Sequence, residues 1–159
     1  MFKSKKNIII GIILTFIISS IAVIVYAFYD AGKSEEIWAF RDKLDETFFP
    51  IRDEVESCIF GEKEEKGKLV CNKESLENRL ENTKLTLSNY QPKHTDTQNL
   101  KRKVIESISI LEEIIATNDK LSPNDNNNFI KLSNHLFDEK EKLEQNKKEI
   151  HEILDKYYN

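Results

Sequence analysis

From Ile8 to Tyr29 the chain runs for 22 residues without a charged side chain, and most of them are Ile, Val, Leu or Phe. At 1.5 Å per residue, a helix of that length covers about 33 Å, enough to cross a hydrocarbon layer of roughly 30 Å. Only a helix lets a single segment satisfy its own backbone polar groups in lipid. Residues 8–29 therefore read as a single transmembrane helix. Lys3, Lys5 and Lys6 precede the run, whereas Asp30, Glu35 and Glu36 follow it with Lys33 alone among them. The bias of basic residues predicts that residues 1–7 stay in the cytoplasm and that residues 30–159 are extracytoplasmic, periplasmic or extracellular. Tyr26, Phe28 and Tyr29 then fall at the outer interface, where aromatic belts lie. Val25-Tyr26-Ala27 carries small residues where a signal peptidase would need them, so a cleaved signal peptide is the alternative. The apolar run exceeds the usual core of such a peptide, which favours an anchor.

The rest of the chain differs sharply. All 28 acidic residues lie beyond Tyr29 against 21 basic ones, a net charge of −7 for residues 30–159. That balance disfavours nucleic acid, whose phosphates require a basic face, and it fits a solvated domain. With 4 Gly and 3 Pro in 159 residues, an all-β or loop-rich fold is excluded.

Periodicity in this part is helical throughout. Ile37, Phe40, Leu44, Phe48, Ile51, Val55 and Cys58 form one face spaced by three and four, and the phase passes through Pro50 unchanged. A helix over about 34–60, capped by Ser34, separated from the membrane segment at Gly32 and kinked at Pro50, is expected. A second helix is expected over 72–90, from Asn72 to Tyr90, closed by Pro92. A third, over 96–118, opens on a capping-box pattern of Thr95 and Gln98. Its apolar residues, Leu100, Val104, Ile105, Ile108, Leu111, Ile114 and Ile115, cover an arc wide enough for several neighbours. A fourth, over 123–157, starts at Ser122-Pro123 and carries Phe129, Leu136, Leu143, Ile150 and Tyr157 at heptad spacing. Asp138–Lys142, Glu144–Lys148 and Glu152–Lys156 suit i, i+4 pairs on its outer side. Lys140 and Lys147 stand where a second core column would run, so its middle is expected to project. The fold class is all-α: an N-terminal transmembrane helix followed by an extracytoplasmic three- or four-helix bundle.

Cys58 and Cys71 are the only cysteines. They bracket a short charged stretch between the first and second of these helices, and in an oxidising compartment they are expected to form a disulfide. The spacing is not that of a catalytic Cys-x-x-Cys pair. A metal site would need further ligands, and no His lies near them in sequence. His94 reads as a loop residue, and His135 and His151 as helix-surface residues. There is no phosphate loop, nucleophile elbow or zinc-protease motif, so no catalytic residue, metal or cofactor is assigned. Two aromatics off the main stripe, Trp38 and Phe49, and the run Leu136, Leu143, Ile150 are the candidate partner-binding residues. The expected role is non-enzymatic: a membrane-anchored binding or scaffolding component of the cell envelope. Its partner would be another envelope or membrane protein, or a second copy. The alternatives are a sensor-like bundle that binds a small ligand, and a secreted or periplasmic inhibitor.

Overall fold

A computed structural model describes the backbone of residues 2–61, 72–121 and 126–158, and the side chains of 15–61, 72–121 and 128–158. Among them are five α-helices and no strand: α1 (Phe2–Thr47), α2 (Phe49–Phe60), α3 (Lys73–Asn89), α4 (Thr95–Asp119) and α5 (Asn126–Asp155). The expected start at Ser122-Pro123 lies outside the described residues.

Helix α1 is long and apolar enough to cross a membrane. From Phe16 to Tyr29 its large apolar side chains are exposed rather than packed on the rest of the molecule. In one respect it departs from the sequence reading. It runs unbroken through Gly32 and Ser34, so Gly32 is no break and Ser34 no cap. Glycine inside a helix costs only about 1 kcal/mol relative to alanine, and the adjacent Lys33 and, one turn on, Glu36 hold this stretch of α1 against Asp96 and the Lys93 and His94 amides. The apolar run thus continues directly into the folded part.

The break comes instead at Phe48. Pro50 has no N–H to donate to the Glu46 carbonyl, so α1 ends at Thr47, and the amides of Ile51 and Arg52 both turn to the Phe48 carbonyl. The Thr83 hydroxyl of α3 donates to the freed Thr47 carbonyl at 3.4 Å. The apolar stripe survives the break: Ile37, Phe40, Leu44, Phe48, Ile51 and Val55 are all buried in one core.

Helix α3 starts as the sequence indicates. The Asn72 side chain accepts from the Ser75 amide at 3.1 Å, and Leu76, Leu80, Thr83 and Leu87 face inward. Helix α4 touches each of the other four helices, which its wide apolar arc requires. Leu100, Val104, Ile108, Leu111, Ile114 and Ile115 are buried and Ile105 is half-buried.

Helix α5 packs along α4, and its middle does not project. Its second column is polar, with Glu139 and Asn146 buried beside Leu136, Leu143 and Ile150. Asn146 Nδ2 donates to the Lys103 carbonyl of α4 at 3.1 Å. Lys140 and Lys147 reach across to α2, one over the Phe60 ring and the other to Glu56 at 2.9 Å. The lysines thus fasten α5 to a third helix. The expected i, i+4 pairs give way to Lys142–Glu139 at 2.6 Å, Lys147–Glu144 at 3.0 Å and the interhelical Lys103–Glu149 at 2.6 Å.

Candidate interaction surface

The sequence-predicted binding residues do not form one surface. Leu136, Leu143 and Ile150 are core residues, 7%, 0% and 3% exposed. Their heptad spacing packs α5 on α4, and pairing through that face with a second copy would require opening the core. Trp38 is half-buried, edge-on to Tyr158 with ring centroids 4.9 Å apart, and Arg41 stacks over both rings. Phe49 is half-buried between Phe48 and the Arg52 guanidinium. Cys58 is half-buried near the end of α2, whereas Cys71 lies outside the described residues.

Sequence reasoning missed the residues that are exposed. On the first half of α5, Ile130 is 59% and Phe137 66% exposed, with Phe129 at 39%. Ile130 and Phe137 are seven apart and so lie within about 20° of each other on the helix, one position beyond the core column. Ser133, Asn134 and Glu141 lie within a turn of them. The available signal was the doubling of apolar residues in Phe129-Ile130 and Leu136-Phe137: in the second pair Leu136 takes the core and Phe137 faces out, and in the first both side chains are exposed.

The opposite end is tied down. The Glu36 carboxylate on α1 accepts from the amides of Lys93 and His94, at 2.6 and 2.9 Å. It thereby caps α4 from another helix. The Thr95–Gln98 capping box does not form. Thr95 is already helical, the His94 side chain makes no cap bond, and Gln98 Nε2 donates to the Pro92 carbonyl instead. Beside this cap, Asp96 accepts from the Tyr157 hydroxyl at 2.6 Å and pairs with Lys33 at 2.9 Å, and Lys33 lies over the Tyr157 ring. Three helices meet at this point.

Burial pushes the Glu36 carboxyl up, but the two amides and His94 outweigh it and leave it below the usual glutamate range. The Tyr157 hydroxyl and then Lys33 hold Asp96 low against a smaller effect of burial, with Lys156 adding to the pull. Folded-state values below the unfolded ones mean that this stabilisation is complete above the unfolded pKa, about 4, and is lost as pH falls through the folded values. Thermal melts should therefore be nearly flat down to about pH 5 and fall below about pH 4, and Glu36→Gln should flatten the acid limb. At neutral pH Glu36→Ala should cost about 0.5–2 kcal/mol, the range for loss of a helix cap. Denaturant titration checks the second expectation.

Between α4 and α5 lies an open cleft of about 900 Å³. Its walls are charged, with Lys103, Asp138, Glu141 and Lys148 among them. His135 bonds to Glu113 across the same two helices at 3.1 Å, which holds the Glu113 carboxyl low. Among the described residues no three His, Cys, Asp or Glu gather in a metal-holding group. No protein-family model, curated protein or solved structure matches the chain.

Proposed function

We propose that the chain is a non-enzymatic, single-pass membrane protein whose extracytoplasmic helical bundle binds another protein of the cell envelope. Residues 8–29 are the anchor and the short N-terminus is cytoplasmic. The observation that carries this reading is the exposed apolar pair Ile130 and Phe137, flanked by Phe129, among polar and charged side chains of the same helix. Exposed aromatic side chains on a charged surface are the usual makings of a binding hot spot. Trp38 and Phe49, held by stacked arginines, are secondary candidates.

The geometry favours presentation to a partner away from the bilayer. Helix α5 reaches from Asp155, two residues before the Tyr157 that is tied to α1 beside the membrane segment, outward to the apolar stripe. The 18 residues from Asp155 to Phe137 place the stripe about 27 Å from that end.

Phe137→Asp and Ile130→Asp test the reading. Each should abolish co-purification of the envelope partner from cross-linked membranes. Each should change stability by less than about 0.5 kcal/mol, because both side chains already face water. Unchanged recovery of the partner would remove the stripe from the binding surface.

A further inference from the structure

Tyr29 closes the apolar run, and the edge of its ring meets His94 with centroids 5.0 Å apart. Gly32, one turn on, lies under the same imidazole: a β-carbon there would sit 3.9 Å from His94 Nε2. Glu36 holds the Lys93 and His94 amides, so the connection between α3 and α4 is fixed against the first two turns of α1 beyond Tyr29. If Tyr29 is in the interface, its neighbour His94 is there too. The headgroup layer is about 5–8 Å deep on each side, and the four residues from Tyr29 to Lys33 rise only about 6 Å.

The composition of this connection suits that layer. Tyr90 to Thr95 contains no acidic residue, in a part of the chain with net charge −7. Lys93 is exposed and its ammonium makes no ion pair among the described residues. Neighbouring Lys101, by contrast, is spent on the carbonyls of Ser88 and Tyr90. We propose that the Gln91–His94 connection is a second membrane contact, seated in the phospholipid headgroups beside the outer end of the spanning helix, with Lys93 directed at lipid phosphate. The inference rests on the membrane-anchored reading of residues 8–29. Its consequence is that the folded part stands on the bilayer without a stalk, at a fixed height and orientation.

Tryptophan depth measurement tests this on the full chain in phosphatidylcholine vesicles containing headgroup-spin-labelled lipid. Trp38 is the sole tryptophan, so Trp38→Phe serves as background for Tyr29→Trp, Gln91→Trp and Phe137→Trp in turn, with Lys93 left in place; Gln91 is exposed in the same connection. The expected result is equal loss of emission at positions 29 and 91 and none at 137. Quenching at 29 but not at 91 would overturn the inference and leave the anchor standing. Absence of quenching at 29 as well would overturn both. Should the Trp38→Phe background lose helicity, a headgroup-photoactivatable phospholipid replaces it with the unsubstituted chain. Adducts on residues 91–94 support the contact, and adducts confined to α1 refute it.

Discussion

Truncation of Leu143 to alanine is expected to lower the unfolding free energy of the full chain by about 2–5 kcal/mol, the range for fully buried leucines. Leu143 is 0% exposed and lies between the two buried polar residues of α5, Glu139 and Asn146. A cavity at that point removes apolar contact from the α4–α5 seam where it is already diluted by polar groups, so the upper half of the range is expected. Denaturant unfolding followed by circular dichroism checks it. A loss below about 1 kcal/mol would match a surface position and return Leu143 to the binding face.

The second large effect concerns Cys58 and Cys71. Closing a loop of about 14 residues stabilises a fold by roughly 3 kcal/mol in the chain-entropy description. The expected outcome is that the purified full chain shows no reactive thiol until reduced, and that reduction lowers its stability by about that amount. Asn72, adjacent to Cys71, caps α3, so the tether would join the end of α2 to the first turn of α3. Two thiols titrating without denaturant would rule the bond out.

What was readable in the sequence was local. The stripes from Ile37 to Val55, Leu76 to Leu87 and Leu100 to Ile115 are buried where their spacing puts them, because each helix packs by its own period. The width of the apolar arc on α4 identified the helix that touches all the others. What escaped reading was long-range. Glu36 caps a helix that begins 59 residues later, and no local pattern marks an acceptor on another element. Thr95 and Gln98 offered a local box that lost to it. Gly32 and Ser34 carried the usual marks of a boundary, yet the helical ladder of the apolar run continued through them. Lys140 and Lys147 interrupt the apolar inner face of α5 in the sequence, but long cationic side chains can lie on a ring or reach a distant carboxylate, and here they bind α2.

The interaction surface was legible only in part for a related reason. Heptad spacing in Leu136, Leu143 and Ile150 announces a packed seam without saying whether the partner is the same chain or another. The structure buries those residues within the chain and leaves the adjacent Ile130 and Phe137 outside. A single sequence shows the pairing of apolar residues, and only the packed helices show that Leu136 is taken into the core while Phe137, and both members of Phe129-Ile130, are left outside.

Site-specific photo-cross-linking in intact cells, with the reactive group at Phe137 and a control at Glu81 on the exposed side of α3, is the most direct measurement. A binding surface on the first half of α5 predicts one discrete adduct from position 137, carrying an envelope protein, absent from position 81 and lost when Ile130 is changed to aspartate. Identical adduct patterns from both positions, or none from 137 in correctly inserted protein, would contradict it.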